Sequence, residues 1–203
     1  MTKKTTLVLI LITFIFLTTG HAQTTKPANE YLNVPGPVVF ENKSYLLDWS
    51  SHPVTNFYKQ EYLVKGDTAG KYKTMLMIDV IVSNKSIKDV VAEKIAELKK
   101  MKLSNPVVNY ETFDNTASGE YMLDFILSAN TPDGKHISIV ERNVYRYKTF
   151  TDKSGNKGIM LFGVSTRGYG NDIDSFFAAL KTNKKELVNQ VAKYKLPEIN
   201  IAK

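Results

Sequence analysis

The sequence contains no cysteine. Disulfides, cysteine nucleophiles, zinc–thiolate sites and iron–sulfur clusters are therefore excluded, and core packing alone must hold the fold. Histidine is also scarce: the chain has three, and His52 and His136 lie far apart in the sequence. Two such histidines without cysteine make a poor metal site. We expect neither a metal nor a cofactor.

Motifs of well-known enzyme classes are missing as well. The sequence has no G-x-S-x-G nucleophile elbow, and "GVSTRG" (163–168) misses the second glycine by one position. "TRGYGND" (166–172) leads into a predicted helix, but its spacing matches neither the P-loop nor the dinucleotide fingerprint. No motif therefore indicates a reaction or a substrate.

The N-terminus carries an apolar run that is too short to cross a membrane, which takes about 20 residues. Two lysines precede this run, residues 7–17, and the small residues Gly20 and Ala22 follow it. This three-part order is typical of a secretory signal peptide, residues 1–22, cleaved after Ala22. We expect a soluble protein, exported to the periplasm or secreted. A lipid anchor would need a cysteine at the cut.

The rest of the chain is long enough for one domain with a substantial core. Residues 23–33 are polar and predict a flexible arm, and residues 34–203 predict a single domain. Apolar and β-branched residues predict strands in "SYLLDWS" (44–50), "NFYKQEYLVK" (56–65) and "YKTMLMIDVIV" (72–82). Short turns connect four later strands and predict an antiparallel meander: "VVNYETF" (107–113), "GEYMLDFILSA" (119–129), "KHISIVERNVYRYKTF" (135–150) and "GIMLFGVST" (158–166).

Two helices are predicted between and after these strands. In residues 86–102 the apolar side chains recur at helical spacing, Ser86 is a good N-cap, and Asp89 resembles the acid of a capping box. A second apolar stripe runs from Ile173 to Tyr194, with a break indicated at residues 182–183. A helix is therefore expected on each side of the meander.

This order of elements predicts an α+β domain, in which one antiparallel sheet carries a central and a C-terminal helix. It resembles the PsbP/Mog1-like α/β/α sandwich over most of the chain that follows the signal. That fold is mostly associated with small accessory and binding proteins, so the resemblance implies a non-enzyme. A cystatin-like or lipocalin-like arrangement is an alternative. The many Lys, Asn and Thr residues and the "TTGHAQ" junction resemble exported proteins of the Bacteroidota.

The charge is unevenly distributed along the chain. Residues 23–134 carry a net charge of −2, residues 135–167 carry +5, residues 168–180 carry −2 and residues 181–203 carry +4. A basic second half predicts contact with an acidic partner, such as a protein, a lipid or an envelope polymer. Simple solvation of a lysine-rich surface is the alternative.

The segment "RNVYRYKTF" (142–150) alternates basic and aromatic residues. In a strand, Arg142, Arg146 and Lys148 share one side and the tyrosines share the other. This separation argues against nucleic acid, because single-strand binders place rings and cations along one groove. The cationic row, together with Arg167 near the glycine-containing loop, is the candidate surface for a partner.

A weaker candidate site lies in "DWSSHP" (48–53), where Asp48, Ser51 and His52 are close in sequence. These are the residue types of a hydrolase triad, which is recognised by its geometry in the fold. A histidine before proline is also an ordinary strand end.

Two functions remain open at this point. The first is an exported, non-enzymatic binding or accessory module of the cell envelope, and the alternative is a small envelope hydrolase that uses the His52 region. Asp79 and Asp124 lie inside apolar strands. Each needs a partner or a raised pKa if its side chain points inward.

Overall fold

The computed structural model describes residues 27–115 and 118–202. The expected signal peptide lies outside these residues. Within them the chain forms eight strands and two α-helices, with a single 3-10 turn before the second helix. In chain order these are β1 (Val38–Phe40), β2 (Lys43–Val54), β3 (Phe57–Leu63), β4 (Thr74–Val82), α1 (Ile87–Lys102), β5 (Asn109–Asn115), β6 (Glu120–Asn130), β7 (Ile137–Thr151), β8 (Lys157–Tyr169) and α2 (Ile173–Lys193).

The strands form one curled antiparallel sheet in the order β1-β2-β3-β4-β8-β7-β6-β5. The predicted meander β5 to β8 is confirmed, and the pairing of β4 with β8 joins it to the first four strands. The α+β prediction is wrong, because strands hold 45% of the described residues and helices 23%, so the domain is mainly β. The reason is strand length: β7 has 15 residues and β8 has 13, and the two pair along most of that length.

Both predicted helices are confirmed, including their local signals. The Ser86 side chain accepts a hydrogen bond from the backbone N–H of Asp89, and the Asp89 carboxylate accepts one from the backbone N–H of Ser86. This reciprocal capping box satisfies two backbone donors at the start of α1. In α2 the backbone of Asn183 leaves the helical region, at φ −118° and ψ 26°, so the helix is kinked at the predicted break.

Each face of the sheet is covered differently. On the α2 face, Val188 and Val191 of α2 and Ile199 of the C-terminal segment pack against buried residues of β3, β4 and β8. On the α1 face, Val91 and Leu98 of α1 pack mainly against β6 and its neighbours. Among the described residues, none from β2 or β3 belongs to the cluster under α1. No helix of the described residues therefore covers that end of the α1 face.

The segment before β1 is packed against the domain from Tyr31 onward, although the sequence predicts a flexible arm up to residue 33. Leu32 is fully buried. The backbone N–H groups of Tyr31 and Leu32 donate to Oε1 of Gln60, and the backbone N–H of Asn200 donates to the carbonyl oxygen of Leu32. The N-terminal segment is thus hydrogen-bonded to β3 through buried Gln60, and the C-terminal segment is hydrogen-bonded to the N-terminal one.

Candidate functional site

The cationic row of β7 lies beneath α2. Arg142 is buried, and its Nε and Nη2 atoms donate to the Oδ1 and Oδ2 atoms of Asp124 at 3.0 and 2.9 Å. Nη2 also donates to the carbonyl oxygen of Lys184 in α2 at 2.5 Å. A two-pronged guanidinium–carboxylate pair is among the stronger polar contacts in proteins. Arg142 therefore ties β6 and β7 to α2.

Arg146 makes a second contact of this kind at the other end of α2. Its Nε and Nη2 atoms lie 2.9 and 2.8 Å from Oε2 of Glu120, and its Nη1 donates to the carbonyl oxygens of Val191 and Tyr194 at 3.0 and 2.9 Å. The guanidinium thus sits at the negative end of the helix dipole. Lys148 is about half exposed and its Nζ lies 3.3 Å from Oε1 of Glu120.

Arg167 lies on the opposite face of the sheet. It is buried, forms an ion pair with Glu141, and donates to the carbonyl oxygen of Ala69 at 3.3 Å. Its guanidinium carbon lies 4.2 Å from the ring centre of Tyr72, whose hydroxyl donates to Glu141 at 2.9 Å. Arg167, Glu141 and Tyr72 thus form a hydrogen-bonded network inside the protein.

The structure therefore does not bring Arg142, Arg146, Lys148 and Arg167 together on one open surface. Three of them are engaged inside the protein, because a buried guanidinium needs a carboxylate partner to offset the cost of leaving water. The sequence contained part of this signal in Asp124, an acid inside an apolar strand.

The His52 region does not form a triad in this structure. The His52 ring is exposed, stacks on Tyr58 with ring centres 4.1 Å apart, and has its Nδ1 3.0 Å from the carbonyl oxygen of Phe57. Over the described ranges, no hydrogen bond joins His52 to Asp48 or Ser51. A nucleophile and its base have to be within hydrogen-bond reach. Asp48, Ser51 and His52 are therefore close in sequence but do not have the geometry of a catalytic triad.

The end of the α1 face that no described helix covers carries exposed apolar side chains. Leu46 is 48% exposed, and Trp49 and Val54 are each 38% exposed. The β2–β3 register pairs these three residues with Leu63, Glu61 and Phe57. Directly paired residues point to the same side of a sheet, so all six lie on the α1 face. We call the side chains of Leu46, Trp49, Val54, Lys59, Glu61, Met77 and Asp79 the open strip.

Apolar residues within and beside the strip are buried although no described helix crosses them. Leu63, Met75 and Met77 form a small cluster with Tyr72, and Tyr145 packs against it from β7. Met77 is 8% exposed. The strip is therefore an apolar surface whose exposed side chains lie along β2.

Three charged residues interrupt this apolar surface. Nζ of Lys59 lies 3.6 Å from Oδ2 of Asp79, and both side chains are largely buried. Oδ1 of Asp79 is buried and has no hydrogen-bond partner among the described residues. The same part of the chain supplies neither a hydrogen bond nor an ion pair to the carboxylate of half-buried Glu61.

Both acids titrate abnormally for the same reason. Burial raises the pKa of Glu61 to about 7, and the Lys59 ammonium opposes that rise only in part. Burial also raises the pKa of Asp79, again against the pull of Lys59. Desolvation disfavours the charged carboxylate, so each acid holds its proton more tightly than in water. A cationic group placed beside Glu61 would reverse this effect.

Sequence reasoning missed Glu61, Lys59 and Trp49 as members of one surface. The alternation in "NFYKQEYLVK" places Lys59, Glu61 and Leu63 on one side of β3. It does not reveal that β2 places Trp49 beside Glu61, or that α1 leaves this end of the sheet uncovered. Asp79 was indicated as an acid within an apolar strand, and the structure places it in this cluster.

Comparison with known proteins gives one match. A family model matches residues 32–196, which is most of the chain, and the family is uncharacterised. No curated protein and no solved structure matches the chain. These comparisons give no support for the PsbP/Mog1-like resemblance. Over the described residues, neither helix has the length and hydropathy to span a membrane.

Proposed function

We propose that this chain, which belongs to the uncharacterised family whose model matches residues 32–196, is an exported, non-enzymatic binding module of the cell envelope. The open strip is its contact surface. Export is supported by the signal-like N-terminal sequence.

One observation carries the proposal. Trp49, Leu46 and Val54 are exposed in a row on one face of β2, where no described helix covers them. Exposed apolar patches on soluble proteins mark contact sites, and tryptophan is enriched at the energetic centres of such sites. Glu61, which directly pairs with Trp49 in the sheet, adds a charged group to this patch.

The hydrolase alternative receives no such support. His52 contacts a backbone carbonyl and an aromatic ring. The strip offers two acids and a lysine on a mostly apolar surface, which suits recognition better than nucleophilic attack. A basic second half that contacts an acidic partner stays a prediction. Exposed lysines of α2, such as Lys181 and Lys185, would have to supply that contact.

Capture from the native cell envelope tests the proposal. The full chain carries a C-terminal affinity tag and is compared with the double variant Leu46→Ala, Trp49→Ala. Leu103→Ala is the matched control, because Leu103 is 89% exposed just after α1 and outside the strip. We expect the wild type and Leu103→Ala to retain the same component and the double variant to lose it.

Equal capture by all three proteins would overturn the proposal. Salt separates the two kinds of contact, because high salt weakens charge pairs and not apolar burial. Capture that high salt abolishes equally in the wild type and the double variant would assign binding to the lysines instead. A melting curve of each variant confirms that it is folded.

A further inference from the structure

The open strip combines an apolar row with the carboxyl group of Glu61, to which no described residue gives a hydrogen bond or an ion pair. Trp49 and Glu61 are direct partners in the β2–β3 register, so their Cβ atoms lie about 5 Å apart on one face. A group that contacts the indole of Trp49 is therefore within reach of the Glu61 carboxylate. This pairing makes the apolar and the charged contact part of one site.

Charged residues from four strands surround Glu61, and burial disfavours its carboxylate form. Asp48 of β2, Lys59 of β3, Asp79 of β4 and Arg167 of β8 all act on it. Lys59 is paired with Asp79, and Arg167 is paired with Glu141. Neither cation makes an ion pair with Glu61 within the described part of the chain. A cation placed beside Glu61 would favour the charged carboxylate, which burial disfavours.

The shape of the apolar row indicates the size of the partner. Leu46 and Val54 lie at opposite ends of most of β2, and a strand advances roughly 3.3 Å per residue, so the row is about 25 Å long. Such a length exceeds that of a small amine and fits an extended chain. Beyond its short pairing with β1, which ends at Tyr45, β2 is the outermost of the described strands. An extended segment therefore has access from the side.

We propose that the open strip holds an extended segment of a partner protein, with a lysine or arginine side chain of that segment paired with Glu61 and apolar neighbours packed on Trp49 and Leu46. This inference rests on the proposed function and specifies its partner. A cation beside Glu61 forms the close ion pair that no described residue gives it, and the aliphatic stem of lysine or arginine covers the indole. The partner segment alternates apolar residues with at least one basic residue.

Fluorescence of Trp49 tests this directly, because it is the only tryptophan in the chain. The probes are three short peptides in which leucine and serine alternate around a central lysine, glutamine or glutamate. We expect saturable binding of the lysine peptide and affinities at least about tenfold weaker for the other two, which corresponds to one charged contact. Butylammonium is a separate probe for a free small amine.

Variants assign the effect to Glu61. Glu61→Gln keeps the shape of the side chain, and it should remove the preference for lysine while leaving the weak binding of the glutamine peptide unchanged. Glu186→Gln is the control, because Glu186 is exposed on α2 on the other face. It should bind all three peptides as the wild type does.

Three results would overturn the inference. The first is equal affinity for the three peptides, or a lysine preference that persists in Glu61→Gln. The second is saturable binding of butylammonium without binding of the lysine peptide, which would indicate a small-amine site. The third is envelope capture that depends on Trp49 while no peptide binds, in which case the proposed function stands and its basic partner segment does not.

Discussion

Arg142 and Asp124 form a two-pronged ion pair beneath α2, with N–O distances of 3.0 and 2.9 Å. The same guanidinium donates to the carbonyl oxygen of Lys184. Strand alternation alone places Arg142 on a cationic surface. In the structure Arg142 instead links the sheet to its C-terminal helix. The stability of the domain depends on it.

Replacing Arg142 by alanine should destabilise the protein by about 3–5 kcal/mol, because the Asp124 carboxylate is left buried without a partner. Urea denaturation measures this difference. Lys148→Ala, on the same side of the strand, should change stability by less than about 1 kcal/mol, since Lys148 is about half exposed and Glu120 keeps its ion pair with Arg146. A similar loss of unfolding free energy in both variants would show that burial of the Arg142–Asp124 pair does not determine its contribution to stability.

Gly158 should not tolerate alanine. A Cβ atom at this position would lie 1.9 Å from the carbonyl oxygen of Ile81 in the neighbouring strand. We expect Gly158→Ala to cost about 1–3 kcal/mol, since the sheet would have to shift. Gly70→Ala is the control, because its nearest neighbouring atom is 4.0 Å away. Equal thermal midpoints for the two variants would contradict the pairing of β4 with β8.

The stability of the domain should fall as pH rises between about 4.5 and 7. In this range folded Glu61 keeps a proton, because its pKa is about 7 against an ordinary 4.5, while the unfolded chain has released it. The loss amounts to at most about 3 kcal/mol for this residue. Asp79 adds a change of the same sign, because its pKa is also raised.

Glu61→Gln should therefore flatten the pH profile without removing it. Urea denaturation at pH 5 and pH 8 measures the difference for the wild type, for Glu61→Gln and for the control Glu186→Gln. If stability falls between pH 5 and pH 8 as much in Glu61→Gln as in the wild type, Glu61 titrates normally. A flattened slope in Glu186→Gln would assign the effect to general surface charge.

Export should leave a protein that begins at Gln23. The small residues Gly20 and Ala22 define the expected cut. Mass spectrometry of the intact protein from the periplasm or the medium measures the N-terminus. A mass that retains the first residues, in a cytoplasmic fraction, would contradict export.

Local structure could be predicted from the sequence because its causes are local. The capping box of Ser86 and Asp89 and the kink at Asn183 depend on residues within one or two helical turns. The meander followed from short turns between apolar segments. The dominance of the sheet did not follow, because the pairing of β4 with β8 joins segments about 80 residues apart.

The candidate site could not be predicted for the same reason. Whether Arg142 faces a partner or Asp124 depends on the position of α2, which strand alternation does not give. The open strip exists because β2 places Trp49 beside Glu61 and because α1 packs at the other end of the sheet. Both are tertiary relationships, and neither leaves a mark in the sequence of one strand.

Site-specific cross-linking tests the central claim most directly. A photo-crosslinking amino acid replaces Trp49 in one full-length protein and Leu103 in another, and each is irradiated in its native cell envelope. We predict that position 49 forms a covalent adduct with one envelope component and that position 103 does not. No adduct at position 49, or the same adducts at both positions, would contradict the account of the open strip as a binding surface.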